Sequence, residues 1–350
     1  MSRADRLREL MAAAGLDSLL IHSLTNIRYL TGFTGSNATV LVTPARVLLC
    51  TDGRYTEQAR DEVGDSARVL ISRTPIPELL GAAGETGRLG FETHGVSYAT
   101  GLELLDLRPE VLPSADLVAQ LRRSKDQVEI TTITSACAIT EQALTEAVAA
   151  GVAGLTEQGL ARRILMLMLE GGADDRAFPT IVASGPNSAI PHHAPSDRVI
   201  APGDVLKVDM GAVIDGYHSD LTRTFLVGAS PSPELQEHYD LVAQAAAVSR
   251  DRLRAGEPAA DVYGVARECF GPLAGNFTHG LGHGVGLQIH EAPIMGPATQ
   301  GNLVDGDIVT VEPGLYFPGQ YGIRIEDTLL VTQTGARSLT HMSRDLVAID

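Results

Sequence analysis

At 350 residues the chain is long enough for two domains, and its 44% hydrophobic content supplies a sizeable core. It carries 43 Asp+Glu against 27 Lys+Arg, a formal charge of −16, which repels phosphate backbones and argues against a nucleic-acid partner. Cys50, Cys137 and Cys269 are odd in number, far apart and in no CxxC pair; this argues against a disulfide framework or a thiolate metal site and leads us to expect a reducing, cytoplasmic setting.

The opening segment MSRADRLRELMAAAGLDSLLIH reads as an amphipathic helix running into a strand, with Leu7, Leu10, Met11 and Ala14 at helical spacing. It lacks the form of a signal peptide, and no apolar run nears the ~18 residues of a membrane span, so no membrane partner is expected. Short β-rich runs follow at 18–22, 38–42 and 46–51, split by Gly, Pro and Asn. This alternation predicts a small α/β domain over 1–122. Residues 108–114, with Pro109 and Pro113, read as the approach to a linker.

Ser124-Lys125-Asp126-Gln127 has the form of a capping box, with Ser124 as cap, opening a helix from about 125 to 150 that Gly151 stops. Thr156 caps a second helix ending at Gly171-Gly172. Pro233 opens a third, closed by Gly256, and a short one follows Pro258. Strand-like runs cover 205–213, 217–227, 307–312 and 322–332. Helices mixed with antiparallel strands predict an α+β domain over 123–350.

Three stretches carry candidate chemistry. In VLKVDMGAVIDGYHSDLTRTF, Asp215-Gly216 is a two-residue hairpin signal. Such a turn sets Ile214 against Tyr217 and Gly211 against Asp220, which makes Asp209 and Asp220 diagonal cross-strand neighbours, roughly 7–8 Å apart. Two such carboxylates can share a cation, although solvated surface acids would fit the same pattern. Thr222, two residues beyond Asp220, shares its face. In THGLGHGVGLQIHE, His279, His283 and His290 fall among glycines that exclude a helical His pair but let the backbone pass close to a site; a loop with solvated histidines is the alternative. In VTVEPG and GIRIED, Glu312 ends a β-like run and Glu326 shares a face with Arg324, while Ile323 and Ile325 point to the core. A simple salt bridge between Arg324 and Glu326 is the alternative there. Together Asp209, Asp220, His283, Glu312 and Glu326 form a hard-oxygen set with one imidazole. It suits Mn²⁺ and could also take Co²⁺, Zn²⁺ or Fe²⁺. Four carboxylates in one pocket call for compensating cations, so two divalent ions per subunit are expected.

These residues resemble the metallopeptidase family of Xaa-Pro dipeptidases (prolidases), aminopeptidases P and methionine aminopeptidases. The likeness lies in Asp209 and Asp220 eleven apart, then HGLGHGVG, VEPG and GIRIED in order. It implies a pita-bread catalytic domain preceded by a creatinase-like N-terminal α/β domain, whose motif TDGRYTEQA at 51–59 looks similar. FPTIVASGPNSAIPHH at 178–193 looks like the segment bearing a substrate-contacting His, carried here to His192 in preference to His193. The resemblance further implies that Asp209, Asp220, His283, Glu312 and Glu326 hold the ions, with Asp220 and Glu326 bridging. A hydroxide between the ions would attack the scissile carbonyl, with Glu312 as acid/base and His279 and His290 as substrate contacts and oxyanion stabilisers. Arg324 would orient Glu326 or meet a substrate carboxylate, and Phe178 could face the proline ring. The implied substrates are small peptides with proline second, and the implied assembly is a homodimer. Xaa-Pro dipeptides are the favoured substrate, with Xaa-Pro-Yaa peptides of an aminopeptidase P as the alternative. A dipeptidase needs a cation for the proline carboxylate, for which Arg28, Arg46 and Arg54 are candidates. A non-catalytic peptide-binding protein and a creatinase-like amidinohydrolase are the remaining rivals; both would be expected to lack ligands that this chain retains.

Overall fold

Ser2 starts the first helix, α1 (Arg3–Ala13): its hydroxyl accepts from the Asp5 amide while the Asp5 carboxylate accepts from the Ser2 amide. Leu7 and Met11 bury from this helix, as their spacing predicts. In the computed structural model, which describes residues 1–350, α1 opens a unit spanning Met1–Arg122, and a second unit spans Arg123–Asp350.

The first unit is built on six strands: β1 (Ser18–Ile21), β2 (Ala38–Val42), β3 (Val47–Thr51), β4 (Arg68–Ile71), β5 (Leu89–Glu92) and β6 (Leu112–Ser114). Their order is β4-β3-β2-β1-β5-β6, with β2 antiparallel to both neighbours and the other pairs parallel. Helices α2 (Leu24–Thr31), α3 (Thr56–Val63), α4 (Pro75–Ala83), α5 (Tyr98–Leu107) and α6 (Leu117–Arg123) connect or follow them. Leu20, Leu41, Leu48, Leu79, Leu89 and Leu104 meet in its core. The expected linker approach at 108–114 is instead part of this unit. β6 pairs with β5 at the sheet edge, where Pro113 lies opposite Phe91; an edge strand tolerates a residue with no N–H to give.

The second unit opens with α7 (Gln127–Ala149). Its cap is Asp126 rather than Ser124. Asp126 accepts from the Val128 and Glu129 amides, and Glu129 reaches back to the Asp126 amide. Glu129 is three residues past Asp126, so the reciprocal pair closes only from there; the Ser124 hydroxyl donates to the Asp305 carbonyl. Thr156 caps α8 (Glu157–Glu170) through the Gly159 amide, and α9 (Pro233–Arg252) and α10 (Ala259–Cys269) follow later.

Strands β7 (Asp175–Arg176), β8 (Ile181–Ser184), β9 (Val205–Met210), β10 (Ala212–Ile214), β11 (Tyr217–His218) and β12 (Leu221–Val227) come between α8 and α9. After α10 come β13 (Gly282–Gly284), β14 (Glu291–Met295), β15 (Ile308–Val311), β16 (Gly314–Phe317), β17 (Tyr321–Arg324), β18 (Asp327–Thr332), β19 (Gly335–Ser338) and β20 (Ala348–Ile349). The larger sheets run β20-β12-β9-β8 and β14-β13-β15-β18-β19; β11-β10-β7 and the β16-β17 hairpin complete the set. Val182, Leu206, Val208 and Phe225 pack with α7 and α8 residues such as Leu144 and Ile164. Tyr239 and Val262 of α9 and α10 pack with Val309, Ile323 and Leu329.

The predicted hairpin register is present. Asp215 and Gly216 have positive φ, and Ile214 faces Tyr217 while Asp209 faces Thr222. The runs at 205–213 and 217–227 each divide into two strands, at Gly211 and at 219–220, where Gly211 lies so close to the Ser219 carbonyl that a Cβ there would strike it. The run at 322–332 likewise divides, between Arg324 and Asp327. No helix is long and apolar enough to cross a membrane.

Candidate active site

Four of the five predicted ligands sit at or beside strand ends. Asp209 lies near the end of β9, Asp220 just before β12, and His283 within β13; Glu312 follows β15, and Glu326 falls between β17 and β18. A strand end leaves side chains less constrained by the ladder, so carboxylates from different strands can turn to one point. All five line one cavity of about 320 Å³, together with Phe178, Ile181, His192 and His290. Ligand atoms of Asp220, His283 and Glu326 lie within 4.8 Å of one another. His283 Nε2 stands 3.5 Å from Asp220 Oδ2 and 3.6 Å from Glu312 Oε1.

The carboxylates are under-compensated. Asp209 gives one oxygen to Arg324 Nη2 and Glu326 accepts from the Thr222 hydroxyl at 2.6 Å, yet Asp209 Oδ1 and Glu326 Oε1 are buried with no hydrogen-bond partner. Burial, then repulsion from Glu326, Asp209 and Glu312, holds Asp220 well above the usual carboxylate range. Burial and then repulsion from Glu312 and Asp209 do the same to Glu326. Glu312 is pushed up to about 8, chiefly by burial, with Arg324 pulling the other way. Burial lowers His283 to about 4 and so keeps its imidazole neutral. Bare buried oxygens, mutually repelling carboxyls and a neutral imidazole together form a donor set suited to divalent cations, whose charge would relieve the strain.

Arg324 is 1% exposed and is not part of the cavity wall. Besides Asp209 it donates from Nη1 to the Tyr316 hydroxyl at 2.8 Å and from Nε to Thr222 Oγ1 at 3.0 Å. It is thus tied to Asp209 directly and reaches Glu326 through Thr222. The simple salt bridge between Arg324 and Glu326, the alternative reading, does not form: Arg324 falls at the end of β17, whereas Glu326 lies beyond the strand. His279 is also away from the cavity wall. Its Nε2 meets the Tyr316 hydroxyl at 2.9 Å, its Nδ1 meets the Gly280 carbonyl at 2.7 Å, and Nδ1 stands 4.0 Å from Glu312 Oε2.

His290 packs edge-to-face on His283 with centroids 4.4 Å apart. His192 is exposed on the wall; His193, on the same wall, is bound through Nε2 to Glu157 Oε2 at 2.8 Å. Arg54 closes its fork on Asp52 at 2.9 Å for both contacts, within the cap of the turn at Gly53–Tyr55.

Sequence reasoning missed Tyr316, Glu157 and Lys207. Glu157 stands in the first turn of α8, fully buried, and accepts from Ser184, Asn187, His193 and Ser196. Its only signal is the polar density of the segment at 184–196.

The profile of metallopeptidase family M24 matches residues 131–333, and that of the creatinase/prolidase N-terminal domain matches residues 3–124. The chain belongs to metallopeptidase family M24. It is therefore a peptidase of a family that implies divalent metal ions, and the matched region contains all five carboxylate and imidazole positions. The Xaa-Pro dipeptidase of Pyrococcus furiosus is 33% identical over 350 residues, which is 99% of each chain. A solved Xaa-Pro dipeptidase from Bacillus anthracis matches with a TM-score of 0.94 at 32% identity, over 99% of each chain. An X-Pro aminopeptidase from Thermotoga maritima matches at 0.90 and 33%, over 99% of this chain and all of its own. These likenesses bear out the expected architecture of a creatinase-type N-terminal domain followed by a pita-bread peptidase domain.

Proposed function

We propose that this M24 peptidase hydrolyses the bond preceding proline, with Xaa-Pro dipeptides as its preferred substrates. The observation that carries this reading is the pair of bare, buried oxygens on Asp209 and Glu326 beside a cavity flanked by His192, His290 and Phe178. Asp209, Asp220, His283, Glu312 and Glu326 would hold two divalent ions, with Mn²⁺ favoured over Co²⁺ or Zn²⁺ for so oxygen-rich a set. Bound there, the ions supply Lewis acidity and bring the ionisation of water near neutrality.

The chain's own residues account for the rest. Glu312 would accept at its carboxylate the proton given up by the attacking water and pass it to the proline nitrogen, a tertiary amide nitrogen that must be protonated as it leaves. Arg324 fixes Asp209, and Thr222 fixes Glu326, so both carboxylates keep their bare oxygens oriented. His279, held by Tyr316 and Gly280, forms a rigid backing beside Glu312. His192 and His290 are the substrate-facing donors, and Phe178 offers the proline ring an apolar face. A homodimer in the cytoplasm is the setting we expect.

Xaa-Pro aminopeptidase is the second reading. The Thermotoga likeness favours it, as does Arg54, whose fork is already engaged by Asp52. Protein stripped of ions and refilled with Mn²⁺ should be assayed on Ala-Pro beside Ala-Pro-Ala. Faster turnover of the dipeptide supports the dipeptidase reading, faster turnover of the tripeptide transfers the protein to the second reading, and cleavage of neither ends both.

A further inference from the structure

Lys207 is completely buried, and nothing in the chemistry above uses it. It lies on β9 two residues before Asp209, so both side chains leave the strand on the same face. Its ammonium donates to three carbonyls of one turn, Ser188 at 3.0 Å, Ile190 at 2.7 Å and Pro191 at 3.2 Å, acceptors that favour the charged form although burial, and then Arg324, lower its value to about 6. That accounts for all three of its protons. The ring of Tyr316 lies beneath it, 5.0 Å to the centroid, which offers the charge an electron-rich face. Arg324 Nη1 reaches the same Pro191 carbonyl at 3.2 Å.

The chain rises from this turn directly into His192. On the far side, His193 is fixed to Glu157. His192 therefore stands between two anchors: carbonyls gathered by Lys207 before it, and a ring held by a buried carboxylate after it. An apolar side chain of similar length could fill the volume at 207. It could not satisfy carbonyls that turn inward as the backbone reverses: Ser188 and Ile190 would lose their lysine donor, and Pro191 would keep only Arg324.

We propose that Lys207 is a positioning residue for substrate binding. By gathering the carbonyls of residues 188–191 it sets where His192 stands on the cavity wall, and it ties that wall to the strand bearing Asp209. This rests on the reading of the cavity as the site for proline peptides, in which His192 contacts substrate.

The test is a cycle of K207M, H192A and the double variant, read with Xaa-Pro substrate and Mn²⁺-loaded enzyme. K207M should raise KM about tenfold, leave kcat within about threefold and keep the wild-type metal content, as expected for lost binding rather than lost chemistry. H192A should act similarly, and the double variant should be no worse than H192A alone, because one route carries both effects. Amide hydrogen exchange should rise in K207M over residues 185–196 and stay unchanged in the strand bearing Asp209. Additive effects in the cycle, a fall in kcat with unchanged KM, or unaltered exchange over 185–196 would overturn the proposal. Should K207M not accumulate as folded protein, K207Q, which keeps two donors, takes its place; failure of both to fold also overturns it, since Lys207 would then serve the core. If the wild type cleaves no proline peptide, the functional reading fails, and the exchange measurement still decides whether Lys207 holds the turn.

Discussion

Glu326 and Asp327 are consecutive and almost wholly buried, at 2% and 1% exposure, yet their surroundings are opposite. Asp327 is met by Arg223 at 2.9 Å, Arg250 at 3.3 Å and Arg344, with Thr340 donating at 3.0 Å. Burial alone would raise its carboxyl, but Arg223 and Arg344 outweigh that and hold it below its ordinary value. Glu326 has one donor, Thr222, and otherwise faces Asp220, Glu312 and His283 around one cavity. Peptide geometry turns the two side chains to different sides of the same backbone. One side is a completed ion cluster, and the other carries surplus negative charge. A buried charge whose partners are all present is structure; a buried group of like charges with bare oxygens is a site suited to cations.

The comparison can be broken at either residue. E326Q should lower kcat/KM by at least about ten thousandfold, some 5 kcal/mol in barrier, and reduce bound metal. The melting temperature of its metal-free form should not fall below that of metal-free wild type, because the substitution removes a repelled charge. D327N should do the reverse. Leaving arginines buried without their counter-ion typically costs about 3–5 kcal/mol, read in denaturant titration, while metal content per folded molecule is retained. T222V, which strips Glu326 of its orienting donor, should reduce kcat/KM by about 10–100-fold, measured at saturating Mn²⁺.

The smallest effect is in pH. A carboxyl whose folded value exceeds its unfolded one keeps a proton that the unfolded chain has lost, so stability falls as pH rises between the two values. For Glu312 that window runs from 4.5 to about 8, and Asp220 and Glu326 shift in the same direction. His283, lowered from 6.5 to about 4, acts oppositely but only below its ordinary value. From about pH 6.5 to 8 the melting temperature of metal-free protein should therefore drop further behind that of the loaded protein. A constant gap would count against the crowding of these carboxyls.

The site was legible in the sequence wherever local chemistry dictates geometry. Asp215-Gly216 fixes a turn, the turn fixes the register, and the register places Asp209 near Asp220. Glu312, followed by a proline and a glycine, and Glu326 among alternating isoleucines were readable as strand-end acids. Three things were not. Ser124 and Asp126 both suit a helix cap, and only the position of Glu129 decides between them. Arg324 and Glu326 share parity, yet a break in the strand sends Arg324 to Asp209. Contacts such as Lys207 with Ser188–Pro191, or Glu157 with His193, join residues whose meeting depends on packing and leaves no local pattern. In the first unit the strands at 38–42 and 47–51 followed from composition, whereas β6 carries Pro113, which reads as linker.

The most direct test of the central claim is a titration of Mn²⁺ into metal-stripped protein at pH 7, counting ions bound and protons released together. Crowded carboxyls that are partly protonated without cations must shed protons as cations enter. Two ions should bind per chain with net proton release, and E326Q should lose binding. Failure to bind, or binding without proton release and indifferent to E326Q, would contradict it.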